Sequence, residues 1–175
     1  MKNFLTLALA LGLSALLSAK DNNKVALSTN LVEIGSTQTL NIDASLSLSR
    51  HFSLAMDARY NPYSEKSRQR SVAVGARYWP WYVYSGLWMG GKARYQEFSF
   101  RDSLLREGDR VGLSLSGGYS YMIGEHFNID VGLGLWTGYE MFKVYGCETC
   151  SRIREKGNNY FLLPDEFLIA ITYIF

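Results

Sequence analysis

E-F-L-I-A-I-T-Y-I-F, Glu166 to Phe175, closes the sequence and sets how the rest is read. Side chains alternate across a strand with period two. Phe167, Ile169, Ile171, Tyr173 and Phe175 therefore share one face, and Glu166, Leu168, Ala170, Thr172 and Ile174 the other. An uncovered edge this apolar invites aggregation, and a closed barrel removes the edge. In a bilayer the apolar face is solvated by lipid and the aromatics near the strand end sit at the interface. Tyr173 and Phe175 then form an expected membrane-insertion signal, read by a barrel-insertion machinery.

Working back along the chain, the same alternation recurs. Leu40, Ile42, Ala44, Leu46 and Leu48 oppose Asn41, Asp43, Ser45, Ser47 and Ser49, and Arg50-His51 turns into Phe52 to Tyr60. Strands are expected at Lys24 to Leu31, Ser71 to Trp79, about Ser85 to Phe98, Arg110 to Met122 and Phe127 to Phe142. Loops are expected at Glu33 to Gln38, Asn61 to Arg70, Phe100 to Asp109 and Lys143 to Asn159, and no amphipathic helix is apparent. The predicted fold class is all-β: an eight-stranded antiparallel up-and-down transmembrane β-barrel. Longer connections alternate with the short turns at Arg50-His51, Pro80 and Gly124 to His126, the asymmetry of outer-membrane barrels with both termini periplasmic. Aromatic belts are expected at both rims, with Trp79, Tyr84 and Tyr121 near the periplasmic one and Phe98, Tyr139 and Phe142 near the outer one. A soluble barrel with covered faces is the competing reading.

Met1 to Ala19 reads as a secretory signal peptide, with Lys2 before an apolar stretch and Ser18-Ala19 at the cleavage point. That leaves Lys20 to Phe175 as the barrel domain. A retained anchor is the alternative, although the apolar stretch is shorter than the ~20 residues a spanning helix needs. The formal charge of +2 and the absence of a basic run exclude nucleic acid as an expected partner. Outer-membrane lipid is the expected one.

Inward positions gather Arg59, Arg77, Lys92 and Arg94 against Asp43, Asp57, Asp130, Glu140 and Glu166. Charges withdrawn from water must pair, so an interior ion-pair network is expected, with a conduction or binding path as the alternative. Trp88 and Trp136 stand between glycines, a large-beside-small pattern that suits a filled lumen. Cys147-Glu148-Thr149-Cys150 is a C-x-x-C motif for which an exported protein favours a disulfide. Redox, metal and free-thiol readings remain open, but no thioredoxin-like context or ligand set accompanies it. His51 and His126 both fall in turns, so no catalytic residue, metal or cofactor is expected.

Thr29-Asn30-Leu31, Tyr60-Asn61-Pro62, Ala76-Arg77-Tyr78-Trp79, Gly118-Tyr119-Ser120-Tyr121, the paired cysteines and Asn159-Tyr160-Phe161 occur in an order that resembles a Bacteroidetes-type family of small outer-membrane β-barrels of unknown function. That family is similar in shape to the OmpA transmembrane barrel. Leu162-Leu163-Pro164 departs from the Gly-Pro expected after Tyr-Phe. Some members are encoded beside fimbrillin-type surface-fibre components, so the resemblance implies adhesion or fibre assembly and a cell-surface protein partner reached through the long loops. The expected function is structural or surface-interacting and non-enzymatic. A narrow channel and a lipid-modifying enzyme are the alternatives.

Overall fold

The computed structural model describes residues 24–61, 67–101, 104–146 and 153–175, without the side chains of Ser67 and Glu166. The expected signal peptide and Cys147 and Cys150 lie outside the described residues. The strands are β1 (Val25–Asn30), β2 (Leu40–Ser47), β3 (Phe52–Asn61), β4 (Ser67–Tyr78), β5 (Gly86–Arg101), β6 (Leu105–Met122), β7 (Phe127–Tyr145) and β8 (Ile153–Ile174). They close in sequence order into an antiparallel barrel of eight strands. Closure is made by the apolar carboxy-terminal stretch, because Ala26 pairs with Ile174 and Asn30 with Ala170 while Phe127 pairs with Tyr173 on the other side. No strand edge is left along this seam.

The alternation in the sequence becomes the two faces of the wall. Ser45, Ser53, Asp57, Arg77, Lys92, Arg94, Trp88 and Trp136 are buried inside. Leucines on the outside are not: Leu115 is 70% exposed and Leu133 62%. On β6 the outward apolar run extends from Val111 to Tyr121 before Asp109 and Glu107 take over. At ~3.3 Å per residue and a tilt of ~40° that run is roughly 25 Å tall. Monomeric soluble proteins rarely expose a contiguous apolar belt of this extent.

Several loop expectations are corrected. The expected Glu33 to Gln38 loop is a helix, α1 (Leu31–Thr37), so β1 ends one residue before Leu31. The Asn30 side chain accepts from the Val32 N–H and caps it. Lys143 to Asn159 is largely strand, with Lys143 opposite Lys156 and Met141 opposite Asn158. β4 likewise begins at Ser67, and β5 and β6 run on to Arg101 and back from Leu105. These extensions carry polar residues on both faces, so no hydrophobic period announces them; the ladder of the longer strands continues on backbone hydrogen bonds. The barrel thus has a turn end, holding the β2–β3, β4–β5 and β6–β7 connections, and a loop end where β5 to β8 rise beyond the apolar belt.

Candidate functional site in the lumen

At the turn end the lumen has a floor of rings. The corner after Pro80 folds under the barrel, with the Trp79 N–H donating to His51 O at 2.9 Å and the Val83 N–H to Arg50 O at 2.8 Å. Trp79 and Tyr84, expected in the periplasmic rim belt, are therefore buried in the lumen instead. Tyr84 sits in a left-handed conformation (φ 63°). From there its hydroxyl donates to Lys24 O and accepts from Ser45 Oγ, both at 3.3 Å. Burial pushes this turn phenol up to about 12. Trp79 Nε1 donates to Ser53 Oγ at 3.0 Å, and the Trp79 and Trp88 ring centroids are 6.3 Å apart. Trp88 fits only because Gly118 faces it: a Cβ there would lie 2.8 Å from Trp88 Cζ2.

Above this floor runs a chain of alternating charge. Arg77 meets Asp43 at 2.9 Å, Lys92 bridges Asp43 at 2.7 Å and Asp57 at 2.9 Å, and Arg94 meets Asp57 at 3.1 Å. Arg94 also pairs with Asp165, which Arg59 approaches at 3.4 Å, and Arg59 reaches Glu33 on α1 at 3.2 Å. Arg59 closes a loop back to Asp57 at 3.6 Å. Among the described residues each sign is present in equal number, and every cation has a carboxylate within reach. The indoles add faces: Arg77 lies 5.0 Å from the Trp88 centroid and Arg94 5.8 Å from that of Trp136. The cavity within this region, beside Asp43, Asp57 and Arg59, is about 20 Å³, the volume of roughly one water.

Asp165 and Glu33 are absent from the sequence-derived set. Gly134 pairs with Glu166 and Leu135 with Pro164, so Asp165 is an extra residue bulged out of the β7–β8 ladder. Pro164 has no N–H to give that ladder, which makes a bulge cheap here. The bulge turns Asp165 inward, where its side chain is 1% exposed. The Glu166 side chain, expected in the network, lies outside the described residues. Asp130 is corrected: it accepts from Thr172 Oγ1 at 2.6 Å and makes no ion pair among the described residues, because Ser120 and Ala170 are its register neighbours.

Glu140 belongs to a second, higher cluster. It is held by Arg106 and Arg110, two residues that lay in or beside an expected loop. Arg110 lies 4.3 Å from the Phe98 centroid and Arg106 4.2 Å from that of Phe142. Both phenylalanines, expected in the outer aromatic belt, point inward: Phe98 is buried and the Phe142 ring lies against Gly157. Trp136 stacks edge-on to Phe161 at 4.6 Å. Over this aromatic layer opens a vestibule of about 1190 Å³, lined by Asn61, Gln69, Phe98, Gly108, Phe142 and Gly157 among others. That volume lies just above the ~300–1,000 Å³ of ordinary small-molecule pockets.

The histidines face backbone: Nδ1 of His51 is 2.9 Å from Trp79 O and that of His126 2.9 Å from Ile174 O. Among the described residues no group of His, Cys, Asp and Glu is arranged to hold a metal. Tyr173 stacks edge-on with Phe127 at 5.0 Å and with Phe175 at 4.8 Å on the outward face.

A family profile described as "Protein of unknown function (DUF3575)" matches residues 4–175. The chain belongs to the DUF3575 family. No curated protein and no solved structure matches it. In this DUF3575 barrel the sealed lumen lies below the vestibule and inside the outward apolar belt.

Proposed function

We propose that this DUF3575 protein is a non-enzymatic outer-membrane barrel with a structural or surface-interaction role. One observation carries the reading: the outward apolar belt, roughly 25 Å tall by strand geometry, matches the height of the lipid-facing band of outer-membrane barrels. Aromatics fringe it, with Phe52 5.1 Å from Tyr78 at the turn end and Tyr139 5.3 Å from Tyr160 at the loop end. On this reading the turn end, with Val25 and Ile174, faces the periplasm and the vestibule faces outward. The paired charges and buried indoles below the vestibule support a sealed lumen over a narrow channel.

The surface role falls to the vestibule and the raised β5–β8 wall, which offer a cell-surface protein or fibre component a recessed pocket of aromatic and mixed-charge lining. Electrophoresis of the membrane-extracted protein in SDS, boiled against unboiled, tests the setting. A closed barrel resists SDS until heated because each backbone group is paired within the wall. Identical mobilities together with recovery in the soluble fraction would remove the membrane reading. Planar-bilayer recording then separates the roles, with no steady current expected; a stable open conductance replaces the sealed barrel with the channel.

A further inference from the structure

We infer that the outward face of β7 and β8 just above the aromatic fringe binds a phosphate monoester on a lipid headgroup, with Lys143 and Lys156 as its two cationic arms. The inference rests on the membrane setting proposed above. Lys143 and Lys156 are direct register partners in an antiparallel pair, and both are exposed. Like charges placed directly opposite each other destabilise a sheet. Among the described residues neither lysine has an ion-pair partner, whereas Arg70, outward at the same end, is bound to Glu97. The nearest acid on the neighbouring strand is Glu107, opposite Lys143 on β6, and it accepts from Ser99 Oγ at 3.5 Å. Lys156 has no β-strand neighbour on its other side, since the β1–β8 pairing spans only Ala170 to Ile174.

The depth of the pair fits its occupant. Below it on the same face come Met141 with Asn158, then Tyr139 with Tyr160. At ~3.3 Å per residue and ~40° tilt, the lysines stand roughly 10 Å beyond the tyrosine pair. Lysine stems fold back along apolar surface and bring the ammonium toward the headgroup layer. Asn158 Nδ2 donates to the Tyr139 hydroxyl, so the shelf beneath is already ordered. Two opposed ammonium groups are balanced by one phosphate monoester, with a charge near −2, better than by a diester with −1. Among the described residues no such opposed cation pair occurs at the turn end, where Phe52 faces Tyr78 and Phe127 faces Tyr173.

The test is native mass spectrometry of the full chain released from nanodiscs that contain phosphatidic acid, phosphatidylglycerol and phosphatidylcholine. Wild type retains phosphatidic acid over phosphatidylglycerol. The double variant Lys143→Gln, Lys156→Gln loses that preference by roughly tenfold or more, and Arg70→Gln keeps it. Lys156→Glu supplies a control for folding: it turns a repulsive rung into an attractive one, so it abolishes the preference while raising the temperature at which SDS opens the barrel. A heat-modifiable wild-type barrel without preference, or a double variant that keeps it, overturns the inference and leaves the membrane setting standing. A protein that never inserts overturns the setting itself.

Discussion

Below Arg59 the lumen joins buried cations and anions into one chain of alternating charge, whereas above it a buried carboxylate, Glu140, holds two arginines under an open vestibule. Lys92 and Arg94 in the lower part have side chains 2% exposed, while Arg106 in the upper part is 41% exposed. The difference teaches which part is constrained by the fold. A charge deep in the lower chain has nowhere to go if its partner is removed, so that region is bound to holding the barrel shut. Arg106 at the vestibule can swing back to water, so that arm of the upper cluster is free to be rearranged by an incoming group.

Removing the hub of the lower chain is the strongest way to break this contrast. Asp57→Ala leaves Lys92, Arg94 and Arg59 without their shared carboxylate and is expected to cost about 3–5 kcal/mol. Urea unfolding of the reconstituted barrel, or the temperature of its SDS conversion, reads that loss. An effect no larger than that of a vestibule variant would dissolve the distinction. Trp88→Ala comes next, at about 3 kcal/mol, because the large residue opposite Gly118 leaves a cavity the closed wall cannot collapse into. It should also raise the barrel's bilayer conductance above the wild-type baseline. Unchanged current would mean that the ion-pair chain alone seals the lumen.

Glu140→Gln is milder. It keeps the shape but loses the charge shared by Arg106 and Arg110, and the expected cost is about 1–2 kcal/mol. The same urea titration measures it, and a loss equal to that of Asp57→Ala would show the vestibule to be no freer than the lower chain.

Most of the wall was legible in the sequence because each strand has one face that must avoid water, and that constraint writes itself as alternation at Leu40 to Ser49 or Phe127 to Trp136. The inward charges Asp43, Asp57, Arg59, Arg77, Lys92 and Arg94 followed from the same parity. Legibility ended where the constraint did. Above the apolar belt both faces of β7 and β8 meet water, so Lys143 and Lys156 looked like loop. Asp165 was hidden by the bulge, which shifts parity by one; Pro164, a residue that cannot donate to a ladder, was the available signal. Trp79 and Tyr84 were misplaced because the corner beyond Pro80 folds under the lumen, and no period describes a corner. The helix α1, at seven residues, is too short for a 3.6-residue period to declare itself, and only the Asn30 cap marks its start.

Ionic strength gives the smallest effect and the sharpest comparison between the two regions. Going from ~0.1 M to ~1 M salt shortens the screening length from about 10 Å to about 3 Å. Salt reaches Arg106 at the vestibule, so the stability gap between wild type and Glu140→Gln should narrow by a few tenths of a kcal/mol. It does not reach Lys92 or Arg94, whose side chains are sealed between the ring floor and the aromatic layer, so the gap between wild type and Asp57→Ala should stay constant. Two urea series, each run at both salt concentrations, decide the matter. If both gaps narrow together, salt enters the lower lumen, and the ion-pair chain is a hydrated path instead of a seal.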